Sequence, residues 1–173
     1  MFSLRSRYLV LFLTFNYRSH CRQDITLRTI QRHRDKLFDY MQWAEHPVLG
    51  GIHGLLWKLE EGVNGGGLHL HCLIFFSGDR RGDVTVAREI GEYWSRVITR
   101  GWGAYRNSNA EKGTMAYRWG VGVGQVNRDH DPKRDSLRRF IENYMAKANQ
   151  VPRDRTDDDK LFGRRFFVRK RRS

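Results

Sequence analysis

Apolar positions recur along this chain with two alternating periods. Residues 8–16, Tyr8-Leu9-Val10-Leu11-Phe12-Leu13-Thr14-Phe15-Asn16, are rich in branched and aromatic side chains and read as a buried strand. From Asp24, a side chain suited to capping a helix, a helical period runs for roughly 20 residues and stops near His46-Pro47. Its apolar positions are Ile30, Leu37, Tyr40, Met41 and Ala44, while Arg28, Arg32 and Arg34 fall on a solvated side. Gly50 and Gly51 release the chain into a second strand over 52–60. The segment Glu61-Gly62-Val63-Asn64-Gly65-Gly66-Gly67 then reads as a hairpin loop leading to a third strand, His69-Leu70-His71-Cys72-Leu73-Ile74-Phe75-Phe76.

A polar loop over 78–83 precedes a helix from about Thr85 to Thr99, striped by Ile90, Tyr93, Trp94 and Val97. Residues 100–116 read as loop, and Val121, Val123 and Val126 mark a fourth strand over 118–127. Pro132 introduces a last helix over 134–148, with Leu137, Phe140, Ile141, Tyr144 and Ala148 on one face. The order βαββαβ plus a helix predicts an α+β domain over residues 1–150. Its core would be a ferredoxin-like (RRM-like) antiparallel sheet with a C-terminal helix bearing Tyr144. Residues 151–173 form a charged, partly packed tail, acidic at Asp157, Asp158 and Asp159 and basic at Arg169, Lys170, Arg171 and Arg172. Such a core serves enzymes and binding modules alike, so function must come from the residues it carries.

Charge narrows the field. Lys and Arg total 32 against 19 Asp and Glu, a formal net charge of +13 that calls for a polyanionic partner. The candidates are nucleic acid and an anionic membrane surface. The run from Tyr8 to Phe15 loosely imitates a signal peptide after Arg5 and Arg7. No small-residue cleavage site follows it, and it is far too short to span a bilayer, so it reads as a buried strand; nucleic acid, and no membrane, is the expected partner. The two cysteines, Cys21 and Cys72, form no Cys-x-x-Cys pair; Cys72, within the apolar strand, reads as a small buried thiol, and a reducing cytoplasm is the natural setting. Missing cysteine pairs also argue against a structural zinc fold.

His69 and His71, two apart on a strand, project from one face and can grip one divalent ion. Glu60 ends the preceding strand across the glycine-rich turn and is the expected third ligand, with Glu61 competing for the role. Two imidazoles and a carboxylate make a mixed site with open positions, suited to Mn²⁺ or Mg²⁺, with Zn²⁺ also acceptable. The glycines are not a phosphate-binding P-loop, which would need Gly-Lys-Ser/Thr opening a helix. Tyr144 and Lys147, three apart, are neighbours on the last helix. Alone they read as a core tyrosine and a surface lysine; beside a metal, Tyr144 becomes a candidate nucleophile and Lys147 its electrostatic helper. Trp102, Tyr105 and Arg106, with Asn107 and Asn109, read either as ordinary loop packing or as a place to stack or read an unpaired base.

Across residues 43–166 the chain resembles the inovirus-type replication initiators, the YagK/YfjJ-like group within the HUH endonucleases. The likeness runs through Trp57-Lys58-Leu59-Glu60-Glu61-Gly62, Gly67-Leu68-His69-Leu70-His71, Ile90-Gly91-Glu92-Tyr93-Trp94, Ile98-Thr99, Asn107-Ser108-Asn109, Tyr144-Met145-Ala146-Lys147 and Phe162-Gly163-Arg164. The resemblance implies His69, His71 and Glu60 as metal ligands, Tyr144 as nucleophile and Lys147 as its helper. It further implies attack on single-stranded DNA at a replication origin, leaving a 5′-phosphotyrosyl link and a 3′-OH that primes rolling-circle synthesis. The single tyrosine on the last helix argues against paired-tyrosine chemistry. With no Walker motif present, unwinding and synthesis would fall to a host helicase and polymerase in a bacterial cytoplasm. Transposases and relaxases share this chemistry, and a non-catalytic single-stranded nucleic-acid-binding module would share the core.

Overall fold

A computed structural model describes residues 1–43, 46–63, 65–147 and 150–167. Ala44, Asn64, Ala148 and the basic end from Arg169 to Arg172 lie outside the described residues. The fold is α+β: a six-stranded antiparallel sheet with helices on both faces. Its strands are β1 (Arg7–Tyr17), β2 (Ile52–Gly62), β3 (Gly67–Ser77), β4 (Gly103–Asn107), β5 (Gly124–Asn127) and β6 (Phe162–Phe166), and its helices are α1 (Leu27–Trp43), α2 (Asp83–Tyr93) and α3 (Asp131–Phe140). The sheet runs β4-β1-β3-β2-β6, and β5 pairs with the same edge of β1 as β4, nearer the start of that strand.

Strand alternation divides the interior. On one face, Leu9, Leu11, Leu13, Phe15 and Tyr17 of β1 join Leu70, Cys72, Ile74 and Phe76 of β3 under α1 and α2. On the other, Tyr8, Val10 and Phe12 join Leu73 and Phe75 under α3, a smaller cluster completed by Leu137, Phe140 and Met145. Each of α2 and α3 continues into a π-helical turn, Trp94–Ile98 and Ile141–Met145. Among the described residues no helix is long and apolar enough to cross a membrane.

Several boundaries depart from the sequence pattern. The first helix begins at Leu27, not Asp24: residues Ser19–Asp24 form a separate 3-10 turn, and the Thr26 hydroxyl accepts the Thr29 amide at 3.2 Å. The fourth strand of the sheet, β4, lies in the segment 100–116 that reads as loop. Within β4 itself only Ala104 and Tyr105 are apolar, so no period shows; the open edge of β1 recruits the segment. Conversely, the strand expected over 118–127 pairs only over Gly124–Asn127. Gly120, at φ 78°, takes the chain out of the extended region. Within the tail, β6 pairs with β2 from Lys58 to Gly54 and forms a sheet edge. The last helix starts earlier than expected, with Pro132 in its first turn.

Candidate metal and tyrosine site

The register builds the site. Antiparallel pairing sets Thr14 of β1, His71 of β3 and Lys58 of β2 in one row, and His69 opposite Glu60 in the next. Arg106 of β4 extends the first row beyond Thr14. Since neighbouring positions Leu70, Cys72 and Leu59 pack under α1 and α2, this polar set lies on the α3 face. It occupies the end of that face where the smaller apolar cluster stops.

Glu60, His69 and His71 each offer one ligand atom, and the three atoms lie within 4.8 Å of one another. Glu60 Oε2 is 2.9 Å from His71 Nε2 and 3.7 Å from His69 Nε2. His69 Nδ1 donates to the Gly67 carbonyl at 3.1 Å, which fixes the ring with Nε2 facing the carboxylate. His71 Nδ1 meets the Thr14 hydroxyl at 2.9 Å, the matching outer support. Burial acts to raise the Glu60 carboxyl, but hydrogen bonds to His69, His71 and Lys58 outweigh it and hold the group well below the usual carboxylate range. Burial lowers the His71 imidazole, with the Glu60 hydrogen bond opposing. Two imidazoles and a carboxylate held ionised are donors that fit a divalent ion. Glu61, the alternative carboxylate, lies outside this group: its Oε2 accepts the Arg153 amide at 2.8 Å.

Tyr144 reaches the same point from far along the chain. It sits in the π-helical turn Ile141–Met145, and its hydroxyl lies 3.3 Å from His71 Nε2. Aromatic neighbours fix the ring: Phe140 stacks on it at 5.2 Å, Trp119 flanks it at 5.5 Å, and Phe12 meets it edge-on at 5.8 Å. Burial pushes the Tyr144 phenol up to about 12, Glu60 adds to the rise and Arg106 opposes it. A cavity of about 300 Å³ opens beside the hydroxyl, lined by His69, His71, Thr14, Arg106 and Ser108.

Lys147 is arranged differently. Its side chain is exposed, and its carbonyl lies 3.5 Å from the Lys58 ammonium. The lysine that meets the tyrosine is Lys58, buried at 4% exposure. Its ammonium pairs with Glu60 Oε1 at 2.9 Å, donates to the Tyr144 carbonyl at 2.8 Å and lies 4.4 Å from the Tyr144 ring centre. Sequence reasoning missed Lys58. The signal was its spacing, two residues before Glu60 on the same strand face.

The residues of the 102–109 segment that read either as loop packing or as a base-reading place divide. Asn109 is fully buried, and its amide occupies the stretch of β1 edge between β5 and β4. Its Oδ1 accepts from Phe12 N at 2.8 Å, and its Nδ2 donates to Val10 O at 3.1 Å. That occupation removes it from any role in reading a base. The Asn107 amide is bonded to the Val84 carbonyl, and Tyr105 is bonded to Glu92 against α2. Trp102 remains half exposed, and Arg106 turns toward the site cavity. No family model matches this chain, and comparison with curated proteins and with solved structures returns no match.

Proposed function

We propose that this chain is a metal-dependent nuclease and strand transferase that opens single-stranded DNA with Tyr144 and rejoins it, initiating rolling-circle replication of a phage or plasmid-like element. The observation that carries the reading is the approach of the Tyr144 hydroxyl to within 3.3 Å of His71 Nε2, itself 2.9 Å from Glu60. A nucleophile and a ligand set for a Lewis acid therefore converge on one open cavity. The β4-β1-β3-β2 order supports a ferredoxin-like core, and the turn that continues α3 supports a C-terminal tyrosine helix.

His69, His71 and Glu60 would hold a divalent ion, Mn²⁺ or Mg²⁺ by donor type. Such an ion supplies Lewis-acid polarisation of the scissile phosphate and a positive charge that draws the phenol down from its raised value. The chain's own groups do the rest. Phe140, Trp119 and Phe12 hold the ring in one orientation, so the oxygen meets the phosphorus without a search. Lys58 ties the tyrosine turn to Glu60, and Arg106 adds a cation on the cavity wall to face the phosphodiester. Attack forms the Tyr144 oxygen–phosphorus bond as the bond to the 3′ oxygen breaks; the freed 3′-OH primes synthesis and later reverses the transfer. A host helicase and polymerase would supply unwinding and extension.

The test incubates the protein with single strands from candidate origins and Mn²⁺, then looks for a denaturation-resistant DNA adduct. Wild type is expected to form it, and Tyr144→Phe is expected to form none while still binding DNA. An adduct that persists in Tyr144→Phe, or no adduct on any origin strand, overturns the reading.

A further inference from the structure

We propose that β6 is a base-stacking rail that guides single-stranded nucleic acid toward the tyrosine; its purpose, though not its binding, rests on the nuclease reading. Phe162, Arg164 and Phe166 alternate with Gly163 and Arg165, so the three share one face of the strand. The register says which. Phe162 pairs with Lys58, Arg164 with Leu56 and Phe166 with Gly54, placing the stripe on the α3 face with Glu60 and His71. The alternate positions serve the other face: a Cβ on Gly163 would lie 2.9 Å from the Trp57 indole nitrogen, and Arg165 pairs with Asp39 of α1.

What this stripe presents is aromatic, cation, aromatic. Phe162 and Phe166 are 43% and 49% exposed on the outermost described strand, and the Arg164 guanidinium lies 5.9 Å from the Phe166 ring centre. Four steps along the strand separate the two rings by ~13 Å, the length of a short run of nucleotides. Apolar rings gathered on one exposed face, unlike rings scattered singly, mark interaction surfaces.

Charge chooses the occupant. A cleft beside Phe162 is lined by Lys147 and apolar neighbours together with Lys58, whose ammonium is already paired to Glu60, and no acidic side chain is among the described residues lining it. The chain carries a net +13, and the sequence just past β6 adds Arg169, Lys170, Arg171 and Arg172. An apolar protein partner gains nothing from a cation set between two rings, whereas a polynucleotide uses both: phosphates meet the cations while bases, each with a π face, stack on the rings. Base faces are free only in single strands. The rail also leads to the chemistry, since Phe162 is the cross-strand neighbour of Lys58, whose ammonium lies 4.4 Å from the Tyr144 ring centre.

Binding of a labelled mixed-sequence single strand to the full chain, measured by anisotropy with EDTA present, tests the rail apart from cleavage. Phe162→Ala and Phe166→Ala are each expected to weaken binding about tenfold. Phe162→Tyr and Phe166→Trp are expected to keep it, because any aromatic ring stacks. Arg164→Ala should flatten the dependence of log K on log salt by about 0.7. Three results overturn the proposal: unchanged affinity in both alanine variants, equal losses for duplex and single strand, or an alanine variant that binds normally but dissolves a dimer, which would make a second copy the occupant. Loss of affinity in the alanine variants with no wild-type adduct would sink the nuclease reading and leave the rail. An adduct with unchanged affinity would do the reverse.

Discussion

The two faces of the sheet share the same strands yet are built on different physics. Under α1 and α2, residues such as Leu11, Leu13, Phe15 and Cys72 join one apolar cluster and gain chiefly from burial. Under α3, the same strands one position out of step bring Lys58, Glu60 and His71 to 5% exposure or less, and these hold together only as a set. Every member answers another: Lys58 to Glu60, Glu60 to both histidines, His71 to Thr14 and Tyr144. One face can lose a side chain and keep its character. The other cannot, because a removed partner strands a buried charge.

The largest expected effect comes from breaking that set. Glu60→Leu should cost about 3–5 kcal/mol in denaturant unfolding, since it leaves the Lys58 ammonium buried without its carboxylate. Lys58→Met should cost a similar amount for the opposite reason. The double variant should regain most of the loss, converting this face into a copy of the other. If the double variant is as unstable as the two losses summed, the faces do not differ in the way described.

Leu11→Ala, on the apolar face, should cost about 2–5 kcal/mol through lost packing. It should nonetheless leave the response to Mn²⁺ intact. Saturation at a hundredfold excess over Kd should stabilise wild type and Leu11→Ala alike by about 2.7 kcal/mol. The His69→Ala, His71→Ala double variant should show none of this gain. A thermal-shift series with and without Mn²⁺ separates the faces: equal Mn²⁺ responses in all three proteins would mean the ion binds elsewhere.

The smallest effect concerns the β1 edge. Burial acts to raise Asp83, but hydrogen bonds from Asn109 and Lys112 prevail and hold it below its usual value. A carboxyl depressed in the folded state contributes stability that is present above its unfolded value near pH ~4 and is lost as pH falls through the folded value. Asp83→Asn should therefore flatten the acid limb of the stability curve, without moving Mn²⁺ affinity. An unchanged acid limb would remove Asp83 from the account.

Much of the site was legible because its parts are local or periodic. His69 and His71 share a strand, Glu60 faces them across one hairpin, and period 2 alone places them on a common face. Lys58 escaped because a lysine in a strand ordinarily points to water; its burial depends on carbonyls of Tyr144 and Lys147, 86 and 89 positions away. The strands β4 and β6 escaped for a related reason. Each spans five residues with few apolar positions, so their pairing is decided by the open edges of β1 and β2 rather than by their own composition. Asn109 stayed open between packing and base reading because a loop asparagine and one that completes a sheet edge look alike until the neighbouring strands are in place.

The hairpin joining β2 to β3 has a consequence for how the site forms. Glu60 and His71 lie 11 positions apart, so the ligand cradle closes a short loop at little entropic cost. The tyrosine joins across 73 positions, after much of the chain has been ordered. Cradle and nucleophile are therefore expected to separate in partial openings of the fold. Exchange of backbone amide hydrogens should distinguish them, with the β2–β3 hairpin protected in openings that release the tyrosine turn.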